Sequence, residues 1–359
     1  MNNVISEIKK FYNIKFRFDL PKPKKILKYD ELDSNILKRF IKNDFNIMPR
    51  HTTEIYFWIF IKQIIFFDFS FLTYFKNYIK FTSTKIVINL IDNDLFYYTL
   101  KDNIDGVHFI AVQNGIRPPY SSIFKHKKPR VFKNLKCDHF FVFNNYLIKE
   151  LKKNLQSNFH ILGNFRNNMI KVNKTKYKNS YLLISRNIIS SKLLKLIASY
   201  FENTNQKINI LLKSKDHLSQ NDEIKFYRNI FKLNCIFHKY ISLEKQYKTL
   251  DKFENIIFTN STLGYEAISR KKKVAIFPSS KVFFDKNIFG WPKKNPKKNN
   301  FFLAKKLNYS EIKRVLDNVY HCKQVDWEKI YYRNIKDLMH VDKNNLKFKN
   351  VIDKILKNP

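Results

Sequence analysis

Short apolar runs alternate with longer amphipathic segments from about residue 85 onward. Four such runs precede residue 165, and they are KIVINLI (85–91), VHFIAVQ (107–113), HFFVF (139–143) and FHILG (159–163). Near-continuous apolar runs of this length, separated by helical segments, indicate a parallel sheet that is covered on both faces. The pattern therefore predicts a doubly wound α/β domain in the first half of the chain.

A second series of the same kind follows the lysine-rich stretch 167–179, which we interpret as an interdomain linker. Its predicted strands cover 180–185, 207–213, 234–239, 255–259 and 273–278, and its predicted helices lie near 191–202, 222–232, 243–252 and 263–270. We therefore predict two doubly wound, Rossmann-like domains, 1–170 and 171–359. Open α/β sheets bind ligands at the carboxyl ends of their strands, so two such domains facing each other would enclose a cleft for two substrates.

The two ends of the chain are less regular. The first 80 residues are predicted to be mostly helical, and the tail from Ser310 is predicted to be a helical appendage of the second domain. The segment IYFWIFIKQIIFFDFSFLTYF (55–75) is long enough to span a bilayer, but Lys62, Gln63 and Asp68 interrupt it. Because charges are costly in lipid, a buried or interfacial helix is the favoured prediction.

The charge of the chain is strongly positive, at +38 from 68 basic and 30 acidic residues. A charge of this size attracts polyanions such as nucleic acid, an anionic membrane surface or phosphorylated substrates. We find no zinc-finger spacing and no RNA-binding aromatic signature, so no specific nucleic-acid partner is expected. Binding to an anionic membrane surface explains the positive charge better than binding to nucleic acid does. Lysine-biased codon usage is an alternative explanation of the same charge.

Three cysteines, Cys137, Cys235 and Cys322, lie far apart, and no pair has metal-ligand spacing. An odd count argues against a disulfide framework and fits a reducing compartment. The first residues, MNNVISEIKKFYNIKF, lack the apolar core of a signal peptide. These features predict a cytoplasmic protein, peripheral at the inner face of the cytoplasmic membrane.

The segment NIIFTNSTLGYEAISRKKKVAIFP (255–278) contains a candidate binding turn. A predicted strand ends there and a helix begins, and the candidate ligands are Asn260, Ser261, Thr262, Gly264 and Glu266. A helix N-terminus favours phosphate, hydroxyl groups add hydrogen-bond donors, and a glycine lets a ligand or a neighbouring backbone approach. The Glu266 carboxylate, expected on the first turn, would accept hydrogen bonds from a ribose diol. A plain capped helix, with Ser261 or Thr262 as N-cap, explains the same pattern.

Two other predicted strand ends of the second domain supply candidate cations. Arg186 follows strand 180–185, and Lys213 ends strand 207–213. Either side chain would neutralise charge that develops on a departing phosphate.

The strands of the first domain also end in polar residues. Asp92 follows strand 85–91 directly, where a general base would be needed to deprotonate an acceptor hydroxyl. The alternative is that Asp92 and Asn93 cap the next helix, and Asp94 is a second candidate for the base. Asp92 and Asp94 form a D-N-D pattern, but they lie in the presumed acceptor domain. We therefore predict no metal requirement and no cofactor.

The loop after strand 107–113 forms a second group on this side. Gln113 and Arg117 are expected to reach into the cleft, and Asn114 and Gly115 are expected to form a tight turn. The planar guanidinium of Arg117 suits a phosphate or a carboxylate.

Four stretches in this order resemble bacterial surface-carbohydrate biosynthesis proteins, a family with GT-B glycosyltransferase-like architecture. They are INLIDNDLFYYTL (88–100), AVQNGIR (111–117), TNSTLGYEAISRKKKVAIFP (259–278) and FGWPKKN (289–295) with DWEKI (326–330). The resemblance implies that the later domain holds a nucleotide sugar and the earlier domain holds the acceptor. It makes Ser261, Thr262 and Glu266 candidate nucleotide ligands. Replacement of Glu266 by alanine would then weaken donor binding with little loss of stability.

The favoured function is transfer of a sugar from a nucleotide-activated donor to a growing surface polysaccharide, such as lipopolysaccharide or capsule. The expected partners are a nucleotide sugar donor and a glycan or lipid-linked glycan acceptor. Three alternatives stay open: a teichoic-acid-type transferase that moves a polyol phosphate from a CDP-activated donor, a nucleotide-sugar epimerase, and a non-enzymatic binder of polyanions or membranes.

Overall fold

The structure is a computed structural model that describes residues 15–30, 34–41, 44–48, 54–65, 67–116, 135–185, 190–232, 234–259, 261–277 and 301–357. Two parallel sheets dominate the described chain, and each sheet belongs to one half of the molecule.

The front half contains a six-stranded sheet. The elements of this half are β1 (Lys15–Arg17), β2 (Ile26–Lys28), α1 (Ser34–Ile41), β3 (Phe45–Ile47), β4 (Glu54–Tyr56), α2 (Phe57–Ile65), α3 (Phe71–Thr82), β5 (Ile86–Asn89), α4 (Leu95–Leu100), β6 (His108–Val112), β7 (Leu135–Val142), α5 (Asn145–Leu151) and β8 (Leu155–Ile161). Strands β1 and β4 pair with each other in a separate two-stranded sheet. The strand order is β3-β2-β5-β6-β7-β8, and every pair is parallel. The order changes direction between β2 and β5, so the carboxyl ends of these two strands form the crevice in which ligands of open α/β sheets bind.

The rear half contains a five-stranded sheet. Its elements are β9 (Tyr177–Ile184), α6 (Ser191–Asn203), β10 (Ile208–Leu211), α7 (His217–Phe231), β11 (Cys235–His238), α8 (Leu243–Lys252), β12 (Phe253–Phe258), α9 (Thr262–Ser269), β13 (Lys273–Ile276), α10 (Tyr309–His321), α11 (Gln324–Ile330) and α12 (Leu346–Lys357). The order is β11-β10-β9-β12-β13, again with parallel pairs. The switch point lies between β9 and β12, where α9 begins.

The predicted fold class is confirmed, because nine strands predicted from apolar runs all occur within these two sheets. The first 80 residues match the prediction of a mostly helical region only in part, because helices α1, α2 and most of α3 alternate there with short strands. Their described part contains strands β1 to β4, and β2 and β3 belong to the main front sheet. Three-residue strands leave too short an apolar run for periodicity to identify them.

The last helix, α12, packs on the front half, although the sequence assigned the tail to the rear domain. Phe348, Ile352 and Ile355 are buried in one cluster with Ile86 and Ile88 of β5. These three side chains recur at a spacing of three or four residues, so they form one apolar stripe on α12. The chain therefore crosses back after the rear domain to cover the front sheet.

Gly163 permits this return. Its φ is +82°, and a Cβ at this position would lie 1.9 Å from the carbonyl oxygen of His340. Gly163 also forms an antiparallel bridge with Val341. Any side chain would displace the backbone that leads into α12, so the position requires glycine.

The linker between the halves is fastened by a buried ion pair. Arg270 donates two hydrogen bonds to the Asp251 carboxylate, at 2.7 Å from Nε and 2.5 Å from Nη2. Arg270 also donates to the side-chain oxygen of Asn167 and to the carbonyl of Ile170, both in the linker. Asp251 in turn accepts from the backbone N–H of Asn173 at 2.8 Å. The pair thus joins α8, the end of α9 and the linker.

In the part of the chain that the structure describes, no helix is both long and apolar enough to cross a bilayer. Segment 55–75 folds instead as β4, α2 and α3 within its described residues.

Candidate functional site

The carboxyl ends of the two sheets face each other. The backbone N–H of Ile116, in the loop after β6, donates a hydrogen bond to the hydroxyl of Thr262 at 3.2 Å. Thr262 is the first residue of α9, directly after β12 and at the switch point of the rear sheet. The predicted binding turn therefore points toward the front half and is not enclosed in the rear core.

Ser261 holds the N-cap position of α9 with an extended backbone, φ −86° and ψ 133°. Its side chain makes no capping hydrogen bond, and its carbonyl accepts from the N–H of Gly264 at 3.0 Å. Ser261 and Thr262 are both partly exposed. The turn thus combines two hydroxyl groups with the positive end of a helix, which is the arrangement that favours phosphate.

The structure gives a different reason for glycine at residue 264 from the one predicted. A Cβ on this residue would lie 2.1 Å from Cγ of Phe258, so the glycine lets α9 pack on the last residue of β12. Gly264 is buried, and the close approach is made by a side chain of its own domain. The predicted approach of a neighbouring backbone is therefore replaced by that of a side chain, and a donor-binding role for Gly264 stays a prediction.

Glu266 lies in the second turn of α9 and not in the first. It is 4% exposed, and its carboxylate accepts a hydrogen bond from the hydroxyl of Tyr247. Burial and the neighbouring Glu266 raise the pKa of Tyr247 well above its ordinary value, while Arg166 and Arg270 oppose that rise. Loss of the carboxylate would leave a buried hydroxyl without this partner, so we expect Glu266→Ala to lower stability, against the expectation from the sequence. Its role as a donor ligand stays a prediction.

Asp92 connects the two front loops. It is 1% exposed, and Oδ1 accepts a hydrogen bond from the N–H of Asn114 at 3.2 Å. Its backbone carbonyl accepts from the hydroxyl of Tyr98 at 2.8 Å. The cap of α4 is Asp94, which accepts from the N–H of Phe96, so Asp92 does not cap that helix. Asp92 as general base stays a prediction.

Gln113 does not extend toward the cleft as predicted. Its amide donates to the carbonyl of Gly115 at 2.9 Å and accepts from the N–H of Phe143 at 2.8 Å. Both ends of this buried side chain therefore bond to backbone, and they fix the loop after β6 to the end of β7. Asn114 is half-buried beside it, and an acceptor-side role for Asn114 stays a prediction.

Lys213 is exposed two residues after β10. Its backbone N–H donates to the carboxylate of Glu223 on α7, which also accepts from the N–H of Ser214 at 3.0 Å and from the Ser185 hydroxyl. Glu223 thereby fixes the ends of β9 and β10, and the Lys213 side chain extends from a rigid loop. Arg117, Arg186 and Asn260 lie outside the described residues.

A cleft of about 450 Å³ lies between the halves, within the usual size range of small-molecule sites. Ser34 and Arg39 of α1 line it from the front, and Ser242 and Glu244 at the start of α8 line it from the rear. Arg166, which follows β8, also lines the cleft. Lys248 lowers the pKa of Glu244 the most, and Arg39 adds to that lowering across the cleft.

Sequence reasoning missed three charged residues of this region. Arg166 lines both the cleft and a small depression that Gln113 and Asn114 also line. Asp30 accepts hydrogen bonds from the buried Lys28 and from the N–H of Leu90, both at 2.9 Å, and so joins β2 to β5 at the switch point. An aspartate follows a short strand in ILKYD (26–30) as it does in INLID (88–92), but Lys28 interrupts the apolar run there, and Arg39 on α1 carries no signal of this kind.

Within the described ranges, no group of three or more His, Cys, Asp or Glu side chains is placed to hold a metal ion. The expectation that the protein works without metal or cofactor stays a prediction.

Three solved structures share the fold. MnaA from S. aureus, solved with UDP, has 12% identity and a TM-score of 0.59, with 93% of this chain and 97% of that chain covered. The UDP-GlcNAc 2-epimerase of Methanocaldococcus jannaschii, in complex with UDP-GlcNAc and UDP, has 13% identity and a TM-score of 0.55, covering 93% and 100%. The wall teichoic acid polymerase TagF, solved with CDPG, has 12% identity and a TM-score of 0.52, covering 99% and 95%. These similarities confirm a GT-B-like fold.

No curated protein matches the chain. Residues 110–193 and 188–356 match the model of a family described as "putative O-antigen biosynthesis protein". The predicted resemblance to surface-carbohydrate biosynthesis proteins is thereby confirmed. Since the matched segments span more than half of the chain, the protein belongs to this O-antigen biosynthesis family.

Proposed function

We propose that the protein is a glycosyltransferase that moves a sugar from a nucleotide-activated donor to a glycan or lipid-linked glycan acceptor. Its product would be a surface polysaccharide such as lipopolysaccharide or capsule, and it would work at the inner face of the cytoplasmic membrane. The observation that carries the proposal is the hydrogen bond from Ile116 to Thr262, because it joins the strand ends of the two halves at one point. A transferase needs its donor and its acceptor at such a shared point.

The rear side of this point suits a phosphate group. The N-terminus of α9 with the hydroxyls of Ser261 and Thr262 would hold the phosphate of the donor. Arg39 and Arg166 line the cleft between the halves, together with one carboxylate, Glu244. This excess of positive charge would stabilise the negative charge that the departing nucleotide acquires when the glycosidic bond breaks.

The front side of this point supplies a carboxylate. In the proposed reaction, Asp92 takes the proton of the acceptor hydroxyl, the hydroxyl oxygen bonds to the anomeric carbon, and the nucleotide leaves with the bonding electron pair. The hydrogen bond from the N–H of Asn114 holds the Asp92 carboxylate in one orientation. A base fixed in this way needs no reorientation before it acts.

Donor binding is the first test of the proposal. Thermal shift of the full chain with CMP, CDP, UDP, GDP and their sugar conjugates should raise the melting temperature for one nucleotide class, because that ligand binds only the native protein. Ser261→Ala should weaken binding of that nucleotide about tenfold, since it removes a hydrogen bond to a charged group. Ser199→Ala on α6 is the matched control and should leave the affinity unchanged.

The products then separate the reaction classes. Mass analysis should show a sugar added to the acceptor when donor and acceptor are both present. A changed sugar without any acceptor would identify an epimerase, and a polyol phosphate moved from a CDP donor would identify a teichoic-acid-type transferase. The proposal fails if no nucleotide in the screen stabilises the protein, or if Ser261→Ala binds its nucleotide as the original chain does.

A further inference from the structure

Six aromatic side chains of the front half form an exposed surface, which we term the aromatic patch: Phe16, Phe18, Trp58, Phe67, Phe69 and Phe71. Phe67 is the most exposed of them, at 87%. Among the described residues, exposed phenylalanines outside the patch are confined to Phe226. A concentration of large apolar side chains on one surface marks an interaction site.

Ring contacts join Phe16, Phe18, Trp58 and Phe69 of the patch through Phe57 and Phe60, and Phe67 and Phe71 each lie two residues from Phe69 along the chain. Phe16 contacts Phe57 and Phe60 at centroid distances of 6.1 and 5.6 Å, Phe18 contacts Phe57 at 5.0 Å, and Phe60 contacts Phe69 at 6.1 Å. The half-buried rings of Phe57 and Phe60 on α2 therefore support the exposed rings of the patch. These contacts hold Phe16, Phe18 and Phe69 beside one another on α2.

Trp58 has the orientation of an interfacial anchor. Its indole N–H donates to the carbonyl of Phe18 at 2.7 Å, and about half of the residue is exposed. Tryptophan concentrates at membrane–water interfaces, where its ring contacts lipid and its N–H has a polar partner. Ile64 and Ile65, at the end of the same helix, are also exposed.

The charge around the patch is positive. Residues 15–25 and 54–85 contain nine basic and three acidic side chains. Two of the three acids, Asp19 and Glu54, lie within 4.0 Å of the Arg17 guanidinium, which offsets part of their charge. Such a border attracts anionic lipid headgroups and disfavours docking of a second, equally basic copy of this chain.

The patch continues to the candidate acceptor loop. Phe71 contacts Phe96 on α4 at 5.7 Å, and α4 begins at the end of the loop that carries Asp92. Phe71 also contacts Phe75, which packs on Tyr29 at the end of β2. A surface bound to the patch would therefore lie next to the switch point of the front sheet.

We propose that the aromatic patch docks the protein on an anionic phospholipid bilayer, with its rings in the headgroup region and its lysines on the lipid phosphates. This docking deepens the proposed function and rests on it, because its purpose would be to present the acceptor loop to a lipid-linked glycan. Exposed rings and flanking cations act together in such binding, as in interfacial helices.

Vesicle co-sedimentation of the full chain tests the docking. Vesicles of phosphatidylcholine with phosphatidylglycerol should bind the protein, and vesicles of phosphatidylcholine alone should bind it at least about tenfold more weakly. The double variant Phe67→Asn with Phe69→Ser should lower the partition coefficient for the anionic vesicles by about tenfold or more. Asparagine suits residue 67, whose φ is +49°.

The matched control is Leu218→Asn with Ile241→Ser, two similarly exposed apolar residues of the rear half. It should bind vesicles as the original chain does, and both double variants should melt at the original temperature. Equal vesicle binding by the patch variant would overturn the proposal. The proposal is also overturned if the original chain binds no vesicles and self-associates, and the patch variant loses that self-association. The patch would then be a protein interface. Nucleotide affinity, measured on the same variants, separates the two proposals: docking without nucleotide binding refutes the proposed function alone.

Discussion

Replacement of Asp251 by alanine should lower the free energy of unfolding by about 3–5 kcal/mol. The expected loss is large because Asp251 and Arg270 are both almost completely buried, and the guanidinium would keep its charge without this carboxylate. The same replacement leaves the N–H of Asn173 without its acceptor, which loosens the linker. Urea unfolding, followed by circular dichroism, measures the change.

The control variant for Asp251→Ala changes a residue on the same helix. Lys248→Ala removes the exposed ion pair with Glu244, in which both side chains are about half exposed, and should change the free energy of unfolding by less than about 1 kcal/mol. The double variant Asp251→Ala with Arg270→Ala should lose less than the sum of the single variants, because it leaves no unpaired charge at this position. A loss below about 1 kcal/mol for Asp251→Ala would show that the linker is not held by this ion pair.

Replacement of Asp92 by asparagine should lower turnover by about 100- to 10,000-fold, the usual contribution of a general base, and leave donor affinity unchanged. Asparagine keeps an oxygen that can accept the hydrogen bond from the N–H of Asn114, so the loop should keep its conformation. The measurement is the initial rate of product formation with the donor that the thermal-shift screen identifies. Donor affinity is measured on the same protein.

Asp94→Asn is the matched variant for Asp92. Asparagine is as good an N-cap as aspartate, so α4 should remain capped and turnover should be nearly normal. Near-normal turnover of Asp92→Asn would remove Asp92 from the base role. Loss of turnover in Asp94→Asn alone would assign the base to Asp94.

The rear domain could be predicted almost completely from its sequence. Each of its five strands contains a run of apolar residues bounded by polar turns. Strands β10, β12 and β13 and the last four residues of β9 are almost entirely buried, whereas β11 at the edge is only partly buried. In this situation burial dictates composition, so the apolar pattern alone locates the strand. The turn at Ser261 and Thr262 followed from the same argument, because it lies where such a strand ends.

The front edge and the tail could not be predicted in this way. Strands β2 and β3 have three residues each, and Lys28 in β2 is buried with its partner Asp30, which breaks the apolar pattern. The docking of α12 on the front sheet depends on a contact between distant parts of the chain, which no local pattern specifies. The packing role of Gly264 likewise depends on the ring of Phe258, and only coordinates reveal it.

The charged lining of the cleft was also beyond sequence reasoning. Arg39 lies on a helix of the front half, and Arg166 lies after the last front strand. Each is one basic residue among 68, so nothing local distinguishes them from a solvated lysine-rich surface. Arg39 and Arg166 line the same cleft only because the two halves of the molecule face each other.

The most direct test of the shared cleft is hydrogen exchange of the full chain with and without its stabilising nucleotide sugar. We predict that exchange slows together in the loop after β5, in the loop after β6 up to Ile116, and in the first turn of α9 from Thr262, because one ligand would bridge both halves. Slower exchange in only one half at saturating ligand, or in neither, would contradict a common site for donor and acceptor.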